Sequence, residues 1–312
     1  MMGMRLDAIP LEEALPMELD FHRRFHPLTA TPLWREDGCV EAAPCEALAP
    51  YVRCLWGHRG RPVAVKAAAR QLVIPDACAD ILLRIREDGI DVRFSALDQQ
   101  PYWSGYAAAG HAVFAARFYF WALPAFSLSG AARDDCLLGL ERDLSHSDFA
   151  QRNFAGRQAW MEAWLLRRLA DARLPMTLLV LVHELLQRGG NVTVRQLAGQ
   201  GVSSVRTVER LFRRHLDATP KELAGVVRYQ TLWSHVLRQR HWDIQDEVEA
   251  LGFYDQAHLA NTFRRYHGMS LAQGIRLAQP VSRFSKTEKG ACGILEAQTA
   301  KGEGSHGTTP VF

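Results

Sequence analysis

The chain has 312 residues, 48% of them hydrophobic and 23% charged, which is ample for packed cores and favours two domains over one. We find no signal peptide and no apolar run long enough to cross a bilayer, so a cytoplasmic protein is expected. The net charge is only +3. Between residues 176 and 279, however, 13 Lys or Arg stand against 9 Asp or Glu, and contact with phosphate requires such a local positive excess.

Cysteine and histidine spacing gives no sign of a metal site. His22 and His26 are four residues apart, which could place two ligands on one helix face, but no third ligand is near. No cysteine pair has a Cys-x-x-Cys or zinc-finger spacing, so reduced thiols are expected. Neither a metal nor another cofactor is predicted. The six cysteines are Cys39, Cys45, Cys54, Cys78, Cys136 and Cys292.

Residues 31–130 carry short apolar runs bounded by turn residues, a pattern that predicts the strands of a small sandwich or barrel. Asp88-Gly89 lies between two of these runs. It predicts a hairpin, because Asp-Gly supplies the positive φ of a tight primed turn. The last run is expected to end before Pro124. The predicted strands cover residues 71–74, 81–85, 90–94 and 112–121.

Residues 137–172 are predicted to be helical. Trp160, Trp164 and Leu165 recur near the 3.6-residue period of a helix. Pro175 then marks a natural boundary between domains. The helical stretch fits packing beneath the N-terminal domain, and it also fits pairing with a second copy in a dimer. Both interpretations stay open.

Two helix-turn-helix patterns follow, joined by one long helix. In each, a short helix leads into a turn that begins with Gly and then into a longer helix with Phe-Arg-Arg. The linking helix, residues 221–240, should span roughly 30 Å, close to the ~34 Å of one turn of B-DNA. It can therefore place both longer helices in successive segments of the major groove. The predicted elements are the helix 176–187, the first unit 194–214 with its turn at 201–204, and the second unit 244–265 with its turn at 252–255.

The longer helix of each unit divides into an inward and an outward face. A recognition helix needs this division, because apolar side chains seat it on its own domain while donors enter the major groove. The inward positions are Val208, Leu211, Phe212 and His215 in the first helix, and Leu259, Thr262, Phe263 and Tyr266 in the second. The outward positions are Arg206, Glu209, Arg210 and Arg213 in the first helix, and His258, Asn261, Arg264 and Arg265 in the second.

These residues carry a resemblance to a known family. Residues 176–279, about a third of the chain, resemble the DNA-binding domain of AraC-type transcriptional regulators. The resemblance rests on Leu197-Ala198, Ser204, Arg206, Arg210-Leu211-Phe212-Arg213-Arg214 and Thr219-Pro220 in the first unit, and on the run from Gly252 to Leu259, Phe263-Arg264-Arg265 and Gly268-Met269-Ser270 in the second.

Five positions depart from the pattern of that family. Gly201 lies three residues before Ser204 instead of two, Asp217 stands where Gly usually ends the first recognition helix, and Leu271 replaces the usual Pro. Glu247 and Val248 replace the usual Ile-Ala pair in the first helix of the second unit. A carboxylate such as that of Glu247 at a buried position is unfavourable unless it reaches solvent. The second unit is therefore expected to be less stable or differently set, with its recognition helix intact.

The strand region also resembles the sensory domain that precedes the DNA-binding domain in one subgroup of these regulators. The resemblance implies a cupin-like barrel, and thus an α+β protein with an all-α C-terminal domain. The matching runs are 51–56, 75–81, 117–118 and 122–125. The expected domains are an N-terminal segment (1–30), a sensory or effector-binding domain with C-terminal helices (31–174), an AraC-type DNA-binding domain (175–279) and a disordered tail (280–312).

The predicted DNA-binding residues have different roles. Arg210 is the leading candidate for reading a base, since it matches a base-contacting position of the family and a guanidinium suits the O6 and N7 edge of guanine. Gln256, His258 and Asn261 are predicted to read bases in the second unit, after an N-cap provided by Asp255. Phosphate contacts, or in part packing against their own domain, are predicted for Arg213, Arg214, Arg264 and Arg265. The full set also includes Arg206, Thr207 and Glu209.

The predicted function is sequence-specific regulation of transcription in response to a small molecule bound by the N-terminal domain. No enzyme activity is predicted, because no phosphate-cradling loop, nucleophile elbow or metal-ligand spacing is found. The expected partners are double-stranded DNA at a promoter or operator, an unidentified effector, RNA polymerase and a second copy in a homodimer. Activation is the expected mode, with repression left open. Two alternatives stay open: a degenerate regulator that acts through protein partners, and a small-molecule-binding or enzymatic barrel with an accessory helical domain.

Overall fold

The computed structural model describes residues 9–10, 20–29, 39–58, 71–104, 111–199, 204–238 and 242–276. The predicted tail, most of the predicted N-terminal segment and the first three residues of the 201–204 turn lie outside these ranges. Strands dominate the N-terminal part and helices the C-terminal part, so the predicted α+β class is confirmed. Within the described ranges, no helix combines the length and the apolar character needed to cross a membrane.

The described strands are β1 (Ile9–Pro10), β2 (Cys39–Ala42), β3 (Val52–His58), β4 (Gln71–Val73), β5 (Cys78–Arg86), β6 (Gly89–Ser95), β7 (Tyr102–Ser104), β8 (Ala112–Tyr119) and β9 (Arg173–Leu174). Five of them make up the largest sheet. Their order is β2-β3-β8-β5-β6, and every neighbouring pair runs antiparallel. Two further sheets, β1-β9 and β4-β7, have two strands each. Over the described residues the large sheet is not closed, so the predicted cupin-like barrel is not confirmed.

The predicted hairpin is confirmed, but its turn differs from the expected one. β5 and β6 pair from Asp80 opposite Ser95 to Arg86 opposite Gly89, which leaves two residues in the turn. Gly89 has a φ of +148°, whereas Asp88 has no positive φ, so the primed turn expected from Asp-Gly is not formed. The two apolar runs and the turn residues indicate that the strands pair, but they leave the backbone geometry of the turn undecided.

β8 ends earlier than predicted. The strand stops at Tyr119, short of the predicted residue 121, and a 3₁₀ helix follows over Phe120–Phe126. Pro124 lies inside that helix instead of closing the strand. The indole of Trp121 is buried and donates a hydrogen bond to the carbonyl of Pro50 at 2.8 Å. A continuous apolar run does not distinguish a buried strand from a buried turn of helix, which explains the error.

The predicted helical stretch at 137–172 consists of two helices. The indole of Trp164 in the second helix donates a hydrogen bond to Asp143 in the first at 2.9 Å. Trp164 and Leu165 are both buried, so this apolar stripe packs within the chain. The helices of the N-terminal part are α1 (Phe21–Arg24), α2 (Ala132–Ser145) and α3 (Phe154–Ala170), with a 3₁₀ turn (Phe149–Gln151) between the last two.

The C-terminal part is helical, and its elements follow the predicted bounds closely. The first helix covers the predicted residues 176–187, and the chain then turns through Gly190, whose φ is +78°. The linking helix has 19 residues and is therefore about 28 Å long. These helices are α4 (Met176–Gln187), α5 (Val194–Ala198), α6 (Val205–Leu216), α7 (Pro220–Arg238), α8 (Ile244–Ala250) and α9 (Gln256–His267).

One cluster of buried side chains extends from the large sheet into the C-terminal helices. The amide of Gln230 in α7 adds polar contacts: it accepts a hydrogen bond from Leu28 N at 2.8 Å and donates to the carbonyls of Leu28 and Pro75 at 2.9 and 2.6 Å. Gln230 is only 3% exposed, so these bonds replace the water contacts that burial removes. The N-terminal part and the linking helix are thus joined by packing and by hydrogen bonds.

The large sheet also carries a buried charge cluster. Arg117 in β8 donates a hydrogen bond to Asp80 in β5 at 2.7 Å and lies 3.4 Å from Asp76. Trp56 in β3 donates its indole N–H to Asp80 at 3.0 Å. Burial of Asp98, together with the negative charges of Asp76 and Asp80, raises the pKa of Asp98 to about 7. The folded protein therefore keeps a proton on Asp98 at pH values where the unfolded chain has already released it.

Replacing Asp98 by Asn should stabilise the protein at neutral pH and above. Below about pH 3 the wild-type carboxyl is protonated in both states, so variant and wild type should have similar free energies of unfolding. As the pH rises towards the folded-state pKa of about 7, only the unfolded wild type ionises, and the wild type loses stability relative to the neutral variant. Urea unfolding at several pH values measures this difference. The matched control is Asp88→Asn, which removes an exposed carboxylate from the hairpin turn. If the extra free energy of unfolding of the Asp98→Asn variant did not increase from acidic to neutral pH, that result would contradict the burial of Asp98.

Candidate nucleic-acid interface

The first recognition helix, α6, begins at a side-chain cap. Ser204 accepts a hydrogen bond from the backbone N–H of Thr207 at 3.1 Å, and the two hydroxyls lie 3.0 Å apart. Such a cap satisfies one of the N–H groups that lack a partner in the first turn. On the inward face, Val208, Phe212 and Leu216 are fully buried. The apolar stripe therefore seats α6 on its own domain, as the spacing predicts.

The outward face of α6 is a row of arginines. Within the described residues, no carboxylate lies within ion-pair distance of these guanidinium groups, so their charge is available to DNA. Leu211 and His215 border the row and are half-buried, as is Thr207. The exposed positions are Arg206, Glu209, Arg210, Arg213 and Arg214.

The second recognition helix, α9, repeats this arrangement. The carboxylate of Asp255 accepts a hydrogen bond from the backbone N–H of His258 at 2.7 Å, so the predicted N-cap is confirmed. Leu259 and Phe263 are fully buried and Tyr266 nearly so. The inward face therefore matches the prediction, with Thr262 half-buried at its border. The exposed positions are Gln256, His258, Asn261, Arg264 and Arg265.

The ring of His258 is held in one orientation. It packs edge-on against Phe253, with ring centroids 5.4 Å apart. Its Nδ1 lies 3.4 Å from the backbone N of Tyr254, which donates to it. A ring nitrogen that accepts a hydrogen bond carries no proton, so this contact leaves Nε2 to carry the N–H. His258 is thereby prepared to donate to a base or a phosphate.

Two of the predicted contact residues also bind their own domain. Gln256 donates a hydrogen bond to the side chain of Gln245 in α8 at 3.2 Å. The guanidinium of Arg265 lies 5.3 Å from the ring centre of Tyr266. Contact with an aromatic face orients a guanidinium and leaves its positive charge in place. Arg265 therefore packs in part against its own domain and remains able to meet a phosphate.

A buried polar chain beneath α9 fixes this helix to α7. Trp233 donates its indole N–H to the hydroxyl of Tyr229 at 3.0 Å, and that hydroxyl lies 2.6 Å from Nδ1 of His267. Burial lowers the pKa of His267 to about 4, so the ring is neutral at pH 7 and its Nδ1 can accept a hydrogen bond from the hydroxyl of Tyr229. Phe263 packs against the rings of both Tyr229 and Trp233. The position of α9 on α7 is therefore set by buried contacts.

Glu247, which replaces the usual Ile in α8, is buried, with 3% of its surface exposed. Its carboxylate lies 2.8 Å from Nδ1 of His235 in α7. A hydrogen-bonding partner offsets the loss of water around a buried carboxylate. His235 therefore takes the place of the solvent contact that the sequence analysis required for Glu247. The departure from the family pattern is therefore accommodated by a polar contact between α7 and α8.

Asp217 ends α6 in the left-handed conformation, with a φ of +51°. Glycine adopts this conformation without strain, and aspartate tolerates it better than most residues. The carboxylate of Asp217 accepts hydrogen bonds from the backbone N–H of Gly130 at 3.1 Å and from Arg133 at 3.0 Å. Both partners lie at the start of α2. The aspartate that replaces the usual glycine therefore connects the end of α6 to the N-terminal part.

Two exposed apolar side chains at the interface were missed by the sequence analysis. Val205, the first residue of α6, is 39% exposed, and Tyr254, in the turn before α9, is 89% exposed. An apolar side chain at the start of a recognition helix suits the methyl group of thymine, and a phenol hydroxyl suits a phosphate. Their position next to the N-cap residues Ser204 and Asp255 is the signal that could have identified them.

Comparison with known proteins agrees with this geometry. Residues 197–275 match the model of a family described as a helix-turn-helix domain. The match begins in α5 and ends beyond α9, so it covers both units, and the predicted helix-turn-helix region is confirmed. No curated protein and no solved structure matches the chain significantly.

Replacing Arg210 by Ala should relax the choice of base at one position of the bound DNA. Arg210 is exposed on the outward face of α6, where a guanidinium paired with guanine gives roughly 1–3 kcal/mol of discrimination. Selection from a random DNA pool, followed by sequencing, measures the preference at each position. The matched control is Arg142→Ala, which removes an exposed arginine from α2. An unchanged base preference in the Arg210 variant would count against this docking.

Proposed function

We propose that the AraC-type helix-turn-helix domain makes this protein a regulator that reads base sequence with α6 and α9 and responds to a small-molecule effector. The family match carries the coarser statement, a DNA-binding regulator of transcription. The finer statement rests on one observation: two capped helices, each with a buried stripe and an exposed row of donors. A single helix of this kind fits an ordinary protein surface, whereas two copies on one linking helix suit successive segments of the major groove.

The dimensions of α7 support docking at two sites. Its length of about 28 Å is near the ~34 Å that separates equivalent points of the major groove. The buried chain of Trp233, Tyr229 and His267 keeps α9 on this helix, so the spacing of the two units resists deformation. Phosphate contacts would then fix the register without reading sequence. We assign that role to Arg213, Arg214, Arg264 and Arg265.

An effector response through the N-terminal part is supported by the buried charge cluster of the large sheet. Asp80 and Arg117 form a desolvated ion pair beside Asp76 and Asp98. A buried pair of this kind adds little stability compared with apolar side chains of the same size, and perturbed ionisable groups are concentrated at functional sites. The proposed division is therefore a sensory domain at 31–174 and a DNA-binding domain at 175–279.

The two alternative functions have less support. The degenerate regulator was suggested by Glu247 and Leu271, but both side chains are buried in the folded chain, and Glu247 has a partner. The enzymatic barrel was suggested by the N-terminal strands, whereas the family match falls on the helix-turn-helix units. RNA polymerase and a second copy of the chain stay predicted partners.

Replacing His258 and Asn261 together by Ala should shorten the footprint of the full chain at one end by about half a helical turn, roughly 5 base pairs. The two side chains are exposed on α9, so their loss removes donors without disturbing the buried face. The measurement is chemical footprinting on DNA obtained by selection from a random pool. The matched control replaces the exposed residues His111 and Gln100 by Ala. An unaltered footprint and affinity, with the fold intact by circular dichroism, would mean that α9 does not read DNA.

A true effector should raise the stability of the full chain. A ligand at 100 times its Kd that binds only the folded state adds ~2.7 kcal/mol to the free energy of unfolding. Thermal shift against a library of small metabolites finds such ligands, and a mobility-shift assay with the selected DNA then tests each hit. A stabilising ligand that leaves the DNA affinity unchanged is not an effector. A library without any hit that alters DNA binding would count against effector control.

A further inference from the structure

One carboxylate interrupts the row of arginines on the first recognition helix. Glu209 is the fifth residue of α6 and is exposed, as are Arg206, Arg210 and Arg213. Arg206 lies three residues before Glu209 and Arg213 four residues after it, so these three side chains share one face of the helix. DNA carries a negative charge for every ~1.7 Å of its axis, and a carboxylate that faces it is repelled. An acidic residue on this face therefore requires an explanation.

The ordinary structural roles of a helical glutamate do not account for Glu209. Its side chain is exposed, so it fills no part of the core. It lies in the second turn, beyond the first turn where a negative charge stabilises the start of a helix. A glutamate four residues before an arginine often forms an ion pair along the helix. The pair with Arg213 is not formed, and the described residues supply no other cation within ion-pair distance of the carboxylate.

Glu209 lies where a recognition helix meets base edges. The N-terminal residues of such a helix contact the bases, whereas the phosphate contacts that we propose for Arg213 and Arg214 lie nearer the C-terminal end of α6. At a rise of 1.5 Å per residue, Glu209 is about 6 Å beyond Val205, the first residue of the helix. The carboxylate therefore reaches the same part of the groove as Arg210, the predicted reader of guanine.

A carboxylate distinguishes the bases because it only accepts hydrogen bonds. In the major groove, guanine and thymine present the acceptors O6, N7 and O4, which repel a carboxylate, whereas cytosine and adenine present an amino group. The amino group of adenine lies beside the acceptor N7, which repels the second carboxylate oxygen. Cytosine has no acceptor on its own major-groove edge and is therefore the preferred partner.

We propose that Glu209 makes the first helix-turn-helix unit select cytosine, by accepting a hydrogen bond from the N4 amino group in the major groove. The assignment rests on the proposed function, because it requires that α6 reads DNA. The selected cytosine lies in the base pair read by Arg210 or in the next one, since adjacent helix residues rise by 1.5 Å and base pairs are ~3.4 Å apart. The same carboxylate lowers the affinity for DNA that lacks this cytosine, because acceptors and phosphates repel it.

Selection from a random DNA pool with the full chain, followed by sequencing, tests the assignment. The wild type should enrich cytosine at one position, in or next to the base pair whose preference changes in the Arg210→Ala variant. Glu209→Gln should enrich adenine at that position instead, because glutamine accepts from N6 and donates to N7 of adenine. The matched control is Glu141→Gln, which changes an exposed glutamate of α2 and should leave the motif unchanged. The same base preference in the wild type and in Glu209→Gln would overturn the proposal.

Affinity measurements separate base reading from a purely structural role. Mobility-shift assays compare the selected DNA with the same duplex in which 2-pyrimidinone, which lacks only the 4-amino group, replaces the cytosine. The wild type should bind the altered duplex about fivefold or more weakly, whereas Glu209→Ala should bind both duplexes equally. Glu209→Ala should also bind unrelated DNA more tightly than the wild type at the same salt concentration, because a repulsive charge is removed. Equal sensitivity of the wild type and Glu209→Ala to the missing amino group overturns the assignment.

The selection also distinguishes failure of this proposal from failure of the proposed function. A wild-type motif that Glu209→Gln leaves unchanged overturns the cytosine assignment and leaves sequence reading by α6 intact. A Glu209→Gln variant in which only the guanine preference of Arg210 changes makes Glu209 a positioning residue for that arginine, which also overturns the assignment. A wild type that enriches no sequence overturns the proposed function, and the assignment with it.

Discussion

The buried face of α7 holds the other parts of the molecule in place. Tyr229 and Trp233 bind α9 through their contacts with His267 and Phe263. Gln230, the residue after Tyr229, binds main-chain groups of the N-terminal part. On neighbouring turns, α7 therefore contacts both the second recognition helix and the N-terminal part. Because close-packed interiors transmit displacement, a shift of the N-terminal part along α7 would also displace the helices that pack on α7.

Two acidic residues that break the family pattern have a common solution. Glu247 pairs with His235, and Asp217 pairs with Arg133 and the backbone of Gly130. Glu247 is buried, where a carboxylate is unfavourable unless a partner replaces the hydrogen bonds lost from water, whereas the side chain of Asp217 stays partly exposed. In both cases the partner belongs to a different helix or segment. Both contacts therefore favour one arrangement of the helices over others.

The short segment between β6 and β7 reaches two parts of the molecule. Asp98 lies near the buried charges of the sheet, while Gln99 lines a small cavity at the end of α6. Adjacent residues of an extended chain point in different directions, so one short segment can contact both.

The sequence by itself determined the features whose physical causes are local. Helix periodicity and caps act over three or four residues, so the faces of α6 and α9 and the Asp255 cap could be predicted, as could the bounds of α4. The hairpin of β5 and β6 followed from the turn signal of Asp88-Gly89 between two apolar runs. Only the tertiary structure decided that the large sheet stays open over the described residues, that β8 gives way to a 3₁₀ helix, and that Asp217 is held by a residue 87 positions away. Such partners are chosen by the packing of the whole chain, and no short stretch of sequence contains both members of the pair.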